Sequence, residues 1–141
     1  MKILYSVANS REDVWCERVF APWHDMEEEM RKNNIPLFAL ESGDPLTDFD
    51  MIGFTLQYEL SYSNVVNMLD LAGIPLMSAD RGCEYPIICG GGPCAYNAEP
   101  VADFYDIFSI GEGEDALPEL VELMKKMKRD GTYTKSAILR E

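Results

Sequence analysis

Positive charge is scarce in this sequence. Lys and Arg number 12 against 25 Asp and Glu, leaving a formal net charge of −13. A field of that sign repels nucleic-acid backbones and anionic membrane surfaces. No basic patch with interleaved aromatics offsets it, so direct nucleic-acid binding by this segment is not expected. Histidine occurs once, as His24, which gives little for a metal site and no Ser-His-Asp or Cys-His arrangement. Cysteine occurs four times, at Cys16, Cys83, Cys89 and Cys94, with no C-x-x-C pair. These read as small buried hydrophobes in a reduced, cytoplasmic protein. No apolar run approaches the ~20 residues needed to cross a bilayer, and nothing resembles a signal peptide.

What is present is an ordinary globular composition. The 141 residues are 47% hydrophobic and 26% charged, enough to bury a core without disulfides or a structural metal. Residues 1–131 read as one domain and 132–141 as a linker toward something further on. Lys2 to Asn9 fits either a helix or a short strand. Trp15 to Phe20 alternates enough to suggest a short strand. His24 to Lys32 reads as a helix with acids first and bases last, which complements the helix dipole, and Asn33-Asn34 stops it. Leu37 to Leu40 suggests an edge strand, followed by a turn at Ser42-Gly43-Asp44-Pro45.

Asp50 to Leu56 reads as a buried parallel strand, apolar on both faces. Ser61 or Ser63 can cap the next helix, whose apolar side is Val65, Val66, Met68, Leu69 and Ala72. Gly73 and Pro75 end it. Pro86 to Cys89 and Tyr105 to Ile110 are two more strands. The last helix carries Leu117, Leu120, Val121, Met124 and Met127 at spacings of 3 and 4. Asp115 is a candidate cap, Pro118 a first-turn residue, and Gly131 the stop. Strands alternating with helices predict an open, mostly parallel α/β sheet flanked by helices, Rossmann-like or flavodoxin-like.

In such sheets ligands bind outside the carboxyl ends of the strands. Three loops there are unusual in composition. Thr55-Leu56-Gln57-Tyr58-Glu59-Leu60-Ser61 brings together a hydroxyl, an amide, a phenol and a carboxylate. It is either a ligand-facing loop or an ordinary helix entry. Gly90-Gly91-Gly92-Pro93 either lets backbone approach a ligand or makes a tight turn. It is not G-x-G-x-x-G and lacks the Lys of a P-loop. Gly111-Glu112-Gly113-Glu114 gives a sharp turn whose carboxylates favour a helix N-terminus and disfavour a bound phosphate.

Taken in order, these loops resemble a known family. Thr-x-Gln-Tyr-Glu follows a buried strand. Gly-Gly-Pro, then Asn-x-Glu-Pro-x-Ala-Asp-Phe, then Gly-Glu-Gly-Glu come later. The pattern resembles the N-terminal domain of radical SAM proteins with a cobalamin-binding-like fold. The resemblance extends to Glu17-Arg18-Val19-Phe20-Ala21-Pro22-Trp23 and is most specific in Phe54 to Tyr62.

The resemblance implies an accessory module presenting a corrinoid-like ligand, cobalamin, to a downstream radical SAM domain of the same polypeptide, or packing on that domain. Thr55 and Leu56 stand near the place of a Ser-x-Leu motif, and Gly91 and Gly92 in the place of a Gly-Gly. The implied ligand side is Thr55, Gln57, Tyr58, Glu59, Gly91, Gly92 and Pro93, with Gly111 and Gly113 shaping the adjoining turn. No catalytic or metal-ligating residue is implied.

Three departures accompany it. The Asp-x-His-x-x-Gly motif that supplies an axial histidine is absent. By resemblance Lys2 to Asn9 is the first helix, so the first strand and its loop would lie outside this chain. The C-x-x-x-C-x-x-C motif for the 4Fe-4S cluster is also absent, so that cluster and S-adenosylmethionine would belong beyond Glu141. The alternatives are a degenerate platform domain that kept the fold and lost the ligand, and a free-standing flavodoxin-like nucleotide binder.

Overall fold

Three runs of apolar residues settle side by side in a computed structural model that describes residues 2–140. They form strands β1 (Met51–Thr55), β2 (Ile87–Gly91) and β3 (Ile107–Ser109), all parallel and in that spatial order. Parallel strands need crossovers, and helices supply most of them. The order is α1 (Lys2–Asn9), α2 (His24–Asn33), β1, α3 (Tyr62–Leu71), β2, β3, α4 (Gly113–Asp130) and α5 (Lys135–Ile138). Two short 3₁₀ turns, Pro93–Asn97 and Glu99–Phe104, carry the chain from β2 to β3. This is the open parallel α/β sheet that the alternating pattern predicts.

Side chains alternate across a strand, so each face of the sheet collects its own core. Ile52, Ile88, Phe54 and Phe108 face one way, into a cluster with Val65, Met68 and Leu69 of α3, Met30 of α2 and Val101 and Tyr105. Met51, Ile87 and Ile107 face the other way, onto Leu120, Met124 and Met127 of α4 and Ile138 of α5. The spacing in α4 therefore buries the stripe it predicts.

Helix ends follow local chemistry. Asn34 takes φ 54 beyond α2, and Ile35 N–H closes on Met30 O at 2.9 Å. Gly73, at φ 67, does the same for α3, and Gly131, at φ 68, for α4. Each residue tolerates the left-handed region that such a cap requires.

Several expected elements differ. Trp15 to Phe20 forms no strand. Asn9 engages both backbone groups of Cys16, at 3.0 and 2.9 Å. The Glu41 carboxylate accepts from Arg18 N–H at 2.8 Å. Leu37 to Leu40 is a loop, with only a one-residue antiparallel bridge from Phe38 to Pro45. Its donors go to Leu71 O, Asp44 O and Arg18 O rather than to a ladder.

Ser61 stands at the cap position of α3 as expected, but its side chain makes no capping bond. A 3₁₀ turn, Glu59–Ser61, leads into it, and the Ser61 hydroxyl donates to Tyr58 O at 2.7 Å. Asp115 lies inside α4, whose cap residue is Glu112 without a side-chain bond. Pro118 is the sixth residue of that helix rather than a first-turn residue. Residues after Gly131 pack against the sheet, because Ile138 is buried and Lys135 reaches a buried carboxylate.

That carboxylate is Asp106, just before β3, and its side chain is fully enclosed. One oxygen accepts from Ile88 N–H at 2.7 Å. The other takes Arg81 Nη2 at 2.9 Å, Lys135 Nζ at 2.6 Å and the Ser78 hydroxyl. Arg81 also donates to Pro75 O, Leu76 O and Phe104 O. A buried charge is tolerated only when so satisfied.

Burial pushes the Asp106 carboxyl up, but the bonds from Lys135, Ser78, Ile88 N–H and Arg81 outweigh it and hold the group below its ordinary value of 3.8. A folded-state value below the unfolded one means the stability is present above pH 3.8 and lost as pH falls through the folded value. Asp106→Asn leaves Arg81 buried with its charge unmatched, so urea unfolding at neutral pH should show a loss of about 3–5 kcal/mol. The same variant should lose part of the wild-type acid-unfolding limb.

Candidate functional site

The carboxyl ends of the three strands open onto the three loops that the composition singled out. Two backbone bonds tie the first pair together. Leu56 N–H donates to Gly91 O at 2.7 Å, and Cys94 N–H donates to Leu56 O at 3.1 Å. Leu56 is completely buried as a result. The residues on either side of it, Thr55 and Gln57-Tyr58-Glu59, are turned out to solvent. Their four polar side chains hold no intramolecular hydrogen bond among the described residues.

The glycine run is split between two jobs. Gly90 and Gly91 belong to β2 rather than to a turn. A Cβ on Gly90 would meet Phe108 and Tyr105 ring atoms at 2.9–3.0 Å. The absent side chain is thus room for the Tyr105–Phe108 ring pair, whose centroids lie 4.7 Å apart. Gly92 alone makes the turn, at φ 103, and a Cβ there would sit 2.9 Å from Leu56 O. The space at Gly90 and Gly92 is already filled by the protein itself. Gly91 is half-buried with no such crowding, and Pro93 is exposed at the first turn of the following 3₁₀ segment.

Gly111 is exposed at φ 117 with open space around it. Gly113 starts α4 against Leu4 of α1, 3.2 Å from where a Cβ would lie. Gly111 therefore shapes the third loop, while Gly113 packs one helix on another. The nine expected site residues thus share one end of the sheet but do not converge on one enclosed cavity. A concavity of about 160 Å³ lies to one side, lined by Phe20, Thr55, Ser61, Asn64 and Met68 among others.

Beside the expected Tyr58, the structure adds Leu60, Tyr96 and Ile110 to this end, which residue type alone did not mark. Leu60 is 84% exposed, Tyr96 74%, Ile110 62% and Tyr58 56%. Tyr58 and Leu60 follow β1, Tyr96 follows β2 and Ile110 follows β3. Each strand-following loop therefore presents a large apolar side chain to solvent. Apolar residues directly after predicted strand ends were the available sign.

The cysteines offer no shared site. Cys94 is buried, Cys83 is exposed and the other two are intermediate. Burial pushes the Cys89 thiol up to about 11, with Asp106 adding to the effect, so it is no ready thiolate. Among the described residues no group of His, Cys, Asp and Glu is placed to hold a metal ion. No helix among them is long and apolar enough to cross a membrane. His24 is exposed at the start of α2, its ring 5.5 Å from that of Trp23. At the amino end of the sheet a wider cleft of about 440 Å³ lies beside Ser78, Arg81, Cys83 and Lys135. Its charged groups are committed to Asp106.

Comparison with known proteins gives three findings. The whole chain, residues 1–141, matches the family described as radical SAM proteins, N-terminal. An uncharacterised protein of Methanocaldococcus jannaschii is 33% identical over 107 residues, which cover 74% of this chain and 22% of that protein. The chain thus spans about a fifth of that relative's length. No solved structure matches.

Backbone strain separates two glycines at this site. Gly92→Ala meets both a left-handed φ and the Leu56 carbonyl, and should cost about 2–3 kcal/mol. Gly111→Ala meets only the φ, and should cost about 1 kcal/mol. Chemical denaturation of the two variants checks the order.

Proposed function

This chain belongs to the family of N-terminal regions of radical SAM proteins, and from that premise we propose that it is an accessory docking domain. Its partner is the catalytic radical SAM domain of the same polypeptide, which would hold the 4Fe-4S cluster and S-adenosylmethionine. The carboxyl-end loops are the docking face. The observation that carries this reading is the set of exposed apolar side chains, Tyr58, Leu60, Tyr96 and Ile110, one or more on each loop. Each of the three loops presents at least one such side chain, which makes this end a candidate interaction surface. The domain itself supplies no catalytic group in this reading.

A second reading keeps the corrinoid. It is favoured by the four partner-free polar groups of Thr55, Gln57, Tyr58 and Glu59, which stand where such a ligand would lie. The fit is poor, however. Pockets for ligands of ordinary drug size run about 300–1,000 Å³, against about 160 Å³ beside Thr55. The slots left by Gly90 and Gly92 are filled by Phe108, Tyr105 and Leu56. We therefore place docking first and derive no step through a corrinoid.

Two measurements separate these readings. Leu60→Asp and Ile110→Asp should leave the domain's own thermal midpoint nearly unchanged, since both side chains already face water. Each should weaken association with the separately expressed catalytic domain at least about tenfold by calorimetry, the loss expected for a hot-spot residue. Unaltered affinity would sink the docking face. Titration of the full-length protein with hydroxocobalamin should give no saturable visible-band shift, and a saturable shift abolished by Thr55 and Gln57 substitutions would favour the corrinoid reading instead.

A further inference from the structure

The three loops at the carboxyl end differ from the rest of the chain in charge as well as in their exposed apolar side chains. Residues 55–61, 92–104 and 110–115 hold six of the 25 Asp and Glu and none of the 12 Lys and Arg. Elsewhere carboxylates are met by cations. Arg31 pairs with Glu27 and Asp70, Lys125 with Asp13 and Glu122, and Lys128 with Asp50. Every ion pair among the described residues lies outside the three loops. Glu59, Glu99 and Glu112 are exposed, one on each loop.

These carboxylates stand beside the large apolar groups in sequence. Glu59 lies between Tyr58 and Leu60, Glu99 comes three residues after Tyr96, and Glu112 comes two after Ile110. Each loop therefore repeats one combination of an exposed apolar side chain, a nearby carboxylate and no cation. A surface of that kind rewards a partner group that is apolar and positive at once. Arginine meets both demands, because its planar guanidinium stacks on an aromatic ring and donates in a fork to a carboxylate. Lysine offers an apolar stem below its charged head.

We propose that the surface meeting these loops is basic, with Arg and Lys interleaved among apolar residues, and that it belongs to the downstream domain of the same polypeptide. The proposal rests on the docking reading above and adds the chemistry of the partner. A neutral or acidic partner surface would desolvate Glu59, Glu99 and Glu112 without compensation, which is penalised. Nucleic acid and anionic membranes are repelled by the same charges. A second copy of this chain matches poorly, because each copy carries −13.

The match to the archaeal relative spans 22% of that protein, so a polypeptide of that length has chain enough to supply such a face. A tether holds two domains at an effective concentration on the order of millimolar. Under that condition ion pairs that are individually weak at a surface are enough to orient one domain on the other. The carboxylates thus set the orientation of docking, and the apolar groups supply its strength.

Amide exchange of the full-length protein at about 0.1 M and about 1 M NaCl tests this, because the reach of an exposed charge falls from about 10 Å to about 3 Å between them. With a basic partner, the loops after β1 and β3 are protected at the lower salt and exchange at least about fivefold faster at the higher, while β2 keeps its rate. Protection that persists or deepens at high salt means that apolar contact alone holds the face, and overturns the proposal while leaving docking intact. No protection at either salt removes the docking face and this proposal with it. Glu59→Lys combined with Glu99→Lys should expose the loops at low salt by at least about fivefold. Glu84→Lys combined with Asp130→Lys makes the same change in net charge at the amino end and should leave protection within about twofold. Equal exposure from both pairs would show an effect of net charge alone and overturn the proposal. Protection that disappears on dilution belongs to a second copy and also overturns it.

Discussion

The buried carboxylate of Asp106 is the constraint on which the architecture turns. It stands between β2 and β3, caps Ile88 N–H, and gathers Ser78 and Arg81 from one turn and Lys135 from α5. Arg81 in turn holds carbonyls early in the α3-to-β2 connection and one just before β3. Lys135 fastens the C-terminal helix α5 to the same point. One charge in a low-dielectric place thus organises the amino end of the sheet, because leaving any member unpaired is costly. By comparison the exposed pairs, such as Arg18–Glu41 and Lys32–Glu29, add little.

With the amino end fixed in this way, the carboxyl end is free to be a surface. Two of its loops are braced by backbone bonds through the buried Leu56. The polar and apolar groups that follow each strand are therefore available to a partner. The same bracing uses up the glycines. Gly90 and Gly92 serve the interior of this domain, and a ligand cannot also occupy their space. That is why a family resemblance carried by Gly-Gly-Pro supports the fold more strongly than it supports a bound corrinoid.

The open side of β1 is a different matter from an exposed loop. Backbone donors and acceptors on a sheet edge are obligatory hydrogen-bonding groups, and proteins normally cover or charge them. Here the edge carries Gly53 and Thr55 and no charge. Sheet pairing and the loop surface are separate properties of this domain.

Local information in the chain determined a good deal. Continuous apolar runs set β1, β2 and β3, the 3- and 4-spacing set α4, and Asn34, Gly73 and Gly131 set three helix ends, because each depends on residues within a turn or two. The loops at the strand ends were legible for the same reason. Tertiary structure decided the rest. Whether Trp15 to Phe20 and Leu37 to Leu40 are strands depends on a neighbour, and the residues nearby offered side chains and loop carbonyls instead. Whether Gly90 and Gly92 leave room for a ligand depended on Phe108, Tyr105 and Leu56 arriving there. The meeting of Arg81, Asp106 and Lys135 depends on segments 25 and more residues apart, and no periodicity encodes such a meeting. What a sequence states locally is which faces are apolar, whereas which polar groups become buried together is known only once those faces have packed.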